Sequence, residues 1–214
     1  MKVYRDRFEA GEILAEHLRR RGISGDLVVA IPRGGVAVAY PIAVSFRLPL
    51  RTVGVKKLAP PFAPESGFGA VAVDGSTVVD EGYMNLLGID HDDLEEIKRE
   101  ALREAMEKHG KFLGVSPQEV TGKEVVVVDD GLATGYTAAA AAEYLKNSGA
   151  SRIVLAVPVS SSSAYRLVGR FYDGVVCPQV VDTPYFAVGM FYEDFHQLSD
   201  EEVLELLRRA NGER

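Results

Sequence analysis

The chain has 214 residues, 47% of them hydrophobic and 26% charged, which is typical of a globular protein with one buried core. Because 31 acidic residues outnumber 24 basic ones, a broad basic surface for nucleic acid is not expected. No apolar run approaches the roughly 20 residues of a membrane span. The charged N-terminus and the lone Cys177 predict a cytoplasmic protein without an internal disulfide, built as a single domain over residues 1–214.

The hydrophobic pattern alternates between helical spacing and short unbroken apolar runs. This predicts an α/β fold with a mostly parallel sheet flanked by helices, whose ligands lie at the carboxyl ends of the strands. Residues 57–75 contain three prolines and three glycines, which predicts a loop and candidate lid with a short strand at 70–73. Helices are predicted at 5–21, 36–46, 90–112, 137–146 and from Ser199 onward, and strands at 27–31, 51–57, 124–128, 152–157, 175–177 and 186–189.

Two adjacent carboxylates, Asp129 and Asp130, directly follow the apolar strand predicted at 124–128. Acids in this position are costly to bury unless a ligand, a metal or hydrogen bonds compensate them. Residues 131–137 contain two glycines and two threonines and lead into a helix, so backbone N–H groups and the positive helix end can converge on a phosphate. We interpret residues 129–137 as an acid pair followed by an anion-binding loop, called the phosphate loop below.

The acid pair and the phosphate loop together favour a ligand with a sugar diol close to a phosphate. Carboxylates accept hydrogen bonds from hydroxyls but repel phosphates, and ribose 5-phosphate has the required shape. The loop contains neither the Gly-Lys-Ser/Thr of a Walker loop nor the Gly-x-Gly-x-x-Gly of a dinucleotide fold. The competing interpretation is a plain strand-to-helix turn with a capping acid.

The run Val125–Thr137 closely resembles the phosphoribosyl pyrophosphate signature of type I phosphoribosyltransferases. The resemblance implies that the two acids hold the ribose 2- and 3-hydroxyls. It also implies that the amides and hydroxyls of the loop hold the 5-phosphate. By this resemblance the ribose contacts are Asp129 and Asp130, and the phosphate contacts are Ala133, Thr134, Gly135, Tyr136 and Thr137.

The resemblance extends to the segment after the first strand, Pro32-Arg33-Gly34-Gly35, where this family has its pyrophosphate loop. It implies that Arg33 supplies charge, that Gly34 and Gly35 let backbone amides approach the ligand, and that the Pro32–Arg33 peptide is cis. Taken alone, such a segment is an ordinary turn.

The predicted lid at 57–75 corresponds to the mobile loop that closes over the active site in this family. Lys57 is expected to make a second pyrophosphate contact, and Glu65 is the candidate proton-handling group. Residues 178–214 are expected to form a small hood in which Phe186 stacks on the base, since stacking tolerates different bases. Phe191 and Tyr192 fit either the hood or an aromatic cluster packing the final helix.

The implied reaction replaces the pyrophosphate at ribose C1 by a nitrogen of a base. Mg²⁺ is expected to arrive with phosphoribosyl pyrophosphate, near Asp129 and Asp130, because the few histidines and the single cysteine form no convincing metal cluster. The four histidines, predicted to be surface or helix-end residues, are His17, His91, His109 and His196.

The sequence departs from 6-oxopurine enzymes, because Ala133 stands where they have an aspartate base and 156–159 lacks their lysine. Adenine, cytosine or an unfamiliar acceptor base therefore stay open. A non-catalytic regulator that senses phosphoribosyl pyrophosphate also stays open as a function. A homo-oligomer stays open as the assembly. An unrelated hydrolase-like enzyme is disfavoured, because there is no Gly-x-Ser-x-Gly elbow.

Overall fold

A computed structural model describes residues 3–212 of the chain. Its centre is a five-stranded, all-parallel sheet with the strand order β2-β1-β6-β7-β9. The apolar runs that predicted strands form its middle, because such strands are covered on both faces. The strands are β1 (Leu27–Ala30), β2 (Leu50–Thr52), β6 (Glu124–Val128), β7 (Arg152–Ala156) and β9 (Gly174–Val176).

One face of this sheet is covered by α1 (Arg7–Arg20), α2 (Gly34–Phe46) and α8 (Asp200–Ala210). The helices α1 and α2 cross very closely, since a Cβ on Gly11 would lie 2.2 Å from the carbonyl oxygen of Val38. The capping box predicted for the last helix is present at Ser199. The other face is covered by α6 (Tyr136–Asn147), whose alanines allow tight packing, and by α7 (Ser162–Val168).

A second, antiparallel sheet of three strands packs on the outer side of α6. Its strands are β3 (Val55–Leu58), β4 (Gly69–Ala72) and β5 (Thr77–Val79), followed by α3 (Glu81–Leu86), α4 (His91–Lys111) and α5 (Pro117–Val120). The long helix α4, capped by Asp90 as predicted, covers the face of this sheet that points away from α6. We call β3, β4, β5, α3 and α4 the small-sheet layer.

Three features of the secondary structure differ from the predictions. The strand predicted at 51–57 is two strands in two sheets, broken where α4 passes so close that a Cβ on Gly54 would lie 2.1 Å from the carbonyl oxygen of Ala105. The short strand predicted at 70–73 is present as β4, but the predicted loop at 57–75 also contains the end of β3, which leaves 59–68 irregular. The strand predicted at 186–189 is absent, and a 3-10 helix lies at Val188–Phe191.

A two-stranded parallel sheet lies at the carboxyl end of the main sheet. It pairs β8 (Val159–Ser161) with β10 (Gln179–Val181), and neither strand was predicted. Across residues 3–212, no helix has the length and apolar character needed to cross a membrane.

Candidate functional site

The two loops singled out by the sequence leave neighbouring strands at the same edge of the main sheet. Ala30 of β1 is in register with Val128 of β6, and the amide of Ile31 donates to the Val128 carbonyl at 2.9 Å. The Pro32–Arg33 peptide is cis, as predicted. A Cβ on Gly35 would lie 2.7 Å from the Val128 oxygen, so only glycine permits this approach. The predicted pyrophosphate loop therefore lies directly beside the acid pair.

The acid pair is held by a residue from the N-terminal helix. Arg7 Nε donates to Asp130 Oδ2 at 2.9 Å, and the two side chains are only 9% and 16% exposed. The amide of Asp130 donates to Asp129 Oδ1 at 2.8 Å. A Cβ on Gly34 would lie 1.9 Å from Asp130 Oδ2, so glycine is required here as well. The Asp130 carboxylate is thus confined between Arg7 and the pyrophosphate loop.

The surroundings of the acid pair disfavour the charged forms of both carboxylates. Burial raises the pKa of Asp129 well above its ordinary value, and the neighbouring charge of Asp130 raises it further. Burial also raises the pKa of Asp130, while the Arg7 guanidinium opposes that rise. Hydroxyl groups that donate to these carboxylates would favour their charged forms. Neighbouring acids with shifted pKa values at the end of a strand are typical of a binding site.

The phosphate loop is held in place from behind by β8 and the start of α7. The Leu132 amide donates to the Val159 carbonyl and the Ser161 amide donates to the Leu132 carbonyl, both at 3.0 Å. Ser161 Oγ donates to the Ala133 carbonyl at 2.8 Å and also caps α7. One serine therefore supports the phosphate loop and begins a helix at the same time.

The open side of the phosphate loop presents free backbone donors. Gly135 is left-handed, with a φ of 85°, and immediately precedes α6. Among the residues that the structure describes, no acceptor is found for the backbone N–H groups of 133–137. The side chains of Ala133 and Thr134 are exposed, and Thr137 is half-buried. Unpaired amides at the start of a helix form an anion site.

Tyr136 connects the phosphate loop to the small-sheet layer. Its hydroxyl donates to Asp80 Oδ2 at 2.9 Å, and Asp80 also caps α3 by accepting from the Tyr83 amide. Burial, together with the hydrogen bond to the carboxylate, raises the pKa of Tyr136 to about 12. The side chain of Tyr136 is therefore engaged by protein, and only its backbone is free for a phosphate.

Neighbouring lysines on β3 point to opposite faces of the small sheet, as expected for a strand. Lys57 and Val55 point to the same face of the small sheet, the face that packs on α6. The Lys57 Nζ lies 4.0 Å from Glu65 Oε2. Lys56 points to α4 and pairs with Glu104. Lys57 is thus on the α6 side of the small sheet, whereas the Glu65 side chain is fully exposed.

Arg33 is tied to the C-terminal segment rather than free in the site. Its Nη1 donates to the Leu198 carbonyl at 3.0 Å and lies 3.6 Å from Asp200 Oδ1. Burial lowers the pKa of Lys108 on α4, and the nearby charges of Lys56 and Arg33 lower it further. The carboxylates of Glu104 and Asp200 lie among these cations and offset part of their mutual repulsion.

Two residues of the C-terminal segment contact the acid pair and the glycine that follows it. The Tyr192 hydroxyl donates to the Asp130 carbonyl at 2.7 Å, and Val188 packs where a Cβ on Gly131 would clash at 2.6 Å. Phe186 is half-buried, with its ring 5.4 Å from that of Phe191. Phe191 and Tyr192 belong to an apolar cluster with Tyr4 and Ala10, whose described members include no residue of the final helix. The base-stacking role of Phe186 stays a prediction.

The histidines lie outside the acid pair's immediate surroundings. His17 and His91 lie on helices, and His196 is exposed beside Asp194. His109, in the last turn of α4, is more enclosed than a surface residue, since its Nδ1 accepts from the Gly54 amide at 3.2 Å. Within residues 3–212, no three His, Cys, Asp or Glu side chains are grouped as metal ligands.

Sequence reasoning missed two residues that shape the site, Arg7 and Ser161, and it named Tyr192 only as a hood or cluster residue, without its contact to Asp130. Each acts through a contact with a residue far away in the chain. Arg7 follows the charged pattern of an ordinary amphipathic helix, so only its burial reveals its role.

Comparison with known proteins identifies the family. A family model described as "Phosphoribosyl transferase domain" matches residues 5–194. The chain belongs to the phosphoribosyltransferase family. The resemblance inferred from the phosphate loop is thereby confirmed, together with the α/β fold built on a central parallel sheet.

Individual relatives agree with this assignment. A Mycobacterium tuberculosis protein named "Putative phosphoribosyl transferase Rv0571c" is 38% identical over 99% of this chain, which spans 48% of that protein. The crystal structure of TT1426 from Thermus thermophilus is 34% identical, with a TM-score of 0.76 over 98% of this chain and 99% of that one. The chain spans about half the length of the curated relatives it matches.

Proposed function

We propose that this chain transfers the 5-phosphoribosyl group from phosphoribosyl pyrophosphate to a nitrogenous base, with release of pyrophosphate. One observation carries the proposal. A half-buried acid pair, the unpaired amides of 133–137 and the glycine loop 32–35 lie side by side at the carboxyl edge of the sheet. Diol, phosphate and pyrophosphate groups each have a complementary partner there.

The ribose 5-phosphate end of the substrate would bind at the phosphate loop. Asp129 and Asp130 would accept hydrogen bonds from the ribose hydroxyls, which favours the charged carboxylates that burial disfavours. The amides of 133–137 and the hydroxyls of Thr134 and Thr137 would hold the 5-phosphate. Preformed donors of this kind need no reorganisation when the ligand arrives.

The pyrophosphate would lie against the amide of Gly34, with positive charge from Arg33 and Lys57. The Gly35 amide, predicted as a second contact, already donates to the Ile31 carbonyl at 3.1 Å. Lys57 lies on the α6 side of the small sheet. The carboxylate oxygens of the acid pair are donors of the kind that Mg²⁺ prefers, so a Mg²⁺ ion carried by the substrate would lower the charge of the leaving group. Glu65, exposed in 59–68, would reach a proton on the base only if the predicted lid closes.

The acceptor would be a nitrogenous base held under the C-terminal segment. Phe186 is the proposed stacking residue, and stacking alone does not select one base. Because Ala133 occupies the position of the aspartate base of 6-oxopurine enzymes, the test must include adenine and cytosine as well as hypoxanthine and guanine.

The decisive experiment incubates the protein with Mg²⁺, phosphoribosyl pyrophosphate and this panel of bases. Pyrophosphate release and ligand affinity are measured in parallel. Release with one base is expected. Binding without release for every base would favour the regulator that senses phosphoribosyl pyrophosphate, and no binding would contradict both functions.

A single substitution tests the ribose contact. Asp130→Asn is expected to weaken affinity for phosphoribosyl pyrophosphate roughly 10- to 100-fold, since hydrogen bonds to a charged group contribute about 1.5–3 kcal/mol. Asp92→Asn, at an exposed acid in the first turn of α4, is the charge-matched control and should bind normally. Equal affinities of the two variants would remove the diol role from Asp130.

A further inference from the structure

Arg7 is buried to a degree that is unusual for arginine. Only 8% of the residue is exposed, although it is the first residue of α1, and arginine is rarely buried unless it is paired. Its Nε donates to Asp130 Oδ2 and its Nη1 donates to the His196 carbonyl, both at 2.9 Å. One guanidinium thus bridges the acid pair and the C-terminal segment.

Aromatic rings fix the remaining freedom of the guanidinium. Its central carbon lies 3.9 Å from the centre of the Phe195 ring and 6.0 Å from that of Tyr192, within the range of cation–π attraction. Tyr192 in turn donates to the Asp130 carbonyl. The guanidinium is planar and presents its donors in a fixed fork, so these contacts together define the orientation of the Asp130 carboxylate.

Gly34 closes a second side of this carboxylate, next to Arg7. A Cβ on Gly34 would lie 1.9 Å from Asp130 Oδ2 and 3.1 Å from Arg7 Nε, so there is no space for even a methyl group. Because Oδ2 contacts both Arg7 and the Gly34 backbone, rotation of the carboxylate would break the ion pair. A carboxylate that accepts a hydrogen bond from a ribose hydroxyl needs such a fixed plane to bind it with good geometry.

We propose that Arg7 is a positioning residue for the ribose end of the substrate. It orients the Asp130 carboxylate and ties residues 192–196 to it, so the C-terminal segment and the diol site form one unit. This inference rests on the proposed function. It adds a residue that lies outside the phosphate loop and the pyrophosphate loop.

A double-mutant cycle tests the proposal on affinity for phosphoribosyl pyrophosphate with Mg²⁺. Arg7→Gln, Asp130→Asn and the double variant are compared with the wild type by calorimetry. Arg7→Gln is expected to bind roughly tenfold more weakly. The double variant should be within about twofold of Asp130→Asn, because Arg7 acts through Asp130. If the affinity losses of the two single variants multiply in the double variant, the positioning role is overturned.

Two further variants keep the test interpretable if Arg7→Gln does not fold. Arg7→Lys retains the charge but lacks the fork, and should fold with an affinity between those of wild type and Asp130→Asn. Arg20→Gln, on the same helix and exposed at its pair with Glu16, should bind as wild type does. Wild-type affinity in Arg7→Lys and in any folded Arg7→Gln would overturn the inference.

The ligand itself separates this inference from the proposed function. If the wild type does not bind phosphoribosyl pyrophosphate, the proposed function fails. If the wild type binds it and Arg7→Gln weakens pyrophosphate alone as strongly as the full substrate, the defect is general. The positioning role is then overturned while the proposed function stands.

Discussion

The phosphate loop leads into α6 and the small-sheet layer packs on the outer side of α6, but the two regions are built in different ways. The loop is held by backbone hydrogen bonds to β8 and follows β6, whose last four residues are buried. The small-sheet layer rests on a small apolar cluster and carries exposed ion pairs, such as those of Arg103 with Glu100 and Glu107. Such pairs contribute little to stability. We infer from this difference that the phosphate loop, called the rigid floor below, binds the ribose phosphate with little movement. The small-sheet layer is then the more adaptable of the two regions.

The largest expected effect contrasts two glycines, one in each region. Gly34→Ala would place a Cβ 1.9 Å from Asp130 Oδ2, and Arg7 prevents that carboxylate from moving away. Overpacking of this kind costs about 1–3 kcal/mol. We expect affinity for phosphoribosyl pyrophosphate, measured by calorimetry, to fall roughly 100-fold or more.

Gly110→Ala is the matched control in the small-sheet layer. A Cβ there meets no atom within 4 Å, and the residue lies inside α4, so the change should stabilise the protein by about 0.5–1 kcal/mol. Binding by Gly34→Ala equal to that of Gly110→Ala would contradict the rigid floor.

The next largest expected effect concerns a positive charge of the small-sheet layer. Lys57→Met removes a cation on the α6 side of β3, and because Lys57 is 38% exposed its contribution is screened by solvent. Pyrophosphate affinity should fall about threefold to tenfold, with the difference shrinking as salt is added. Lys146→Met, at an exposed position near the end of α6, should leave affinity unchanged. A loss of the same size in both variants would argue against a specific role for Lys57.

A smaller effect concerns the link between the two regions. Tyr136→Phe removes the hydrogen bond to Asp80, which is worth about 1 kcal/mol. Hydrogen exchange should become faster across 80–87, while affinity for phosphoribosyl pyrophosphate changes less than about twofold, because the backbone amides remain. Tyr165→Phe, a half-buried tyrosine of α7, is the control. Unchanged exchange across 80–87 would show that the two regions are not coupled through Tyr136.

The smallest effect depends on pH and is confined to the small-sheet layer. Burial lowers the pKa of His109, so the unfolded chain takes up a proton below about pH 6.5 that the folded protein resists. The free energy of unfolding should therefore decrease as the pH falls below that value. His109→Gln should show a weaker decrease than wild type or His17→Gln in urea titrations at pH 7.5 and 5.5. Identical pH dependence in all three proteins would exclude His109 as a source.

The sequence predicted the phosphate loop region well because its signals are local. The apolar run 124–128, the acid pair and the alanine-rich helix follow each other directly, so pattern and structure agree. The pyrophosphate loop and its cis peptide were also predicted, although from the family resemblance rather than from the residues alone.

The small-sheet layer was predicted less well, because its strands have three or four residues each and are too short for a clear alternation. The break between β2 and β3 depends on the passage of α4 beside Gly54, which is a contact distant in sequence. Arg7 was missed for the same reason, since nothing near it in the chain indicates Asp130. Packing decides these features.

Hydrogen exchange with and without phosphoribosyl pyrophosphate tests the central claim most directly, because it reports where the ligand binds. With Mg²⁺ and saturating ligand, the strongest protection should fall on 131–139, where the amides of 133–137 lack protein partners. Weaker protection should appear across 57–75. Measurable binding with no added protection at 131–139 would contradict the assignment of the phosphate loop.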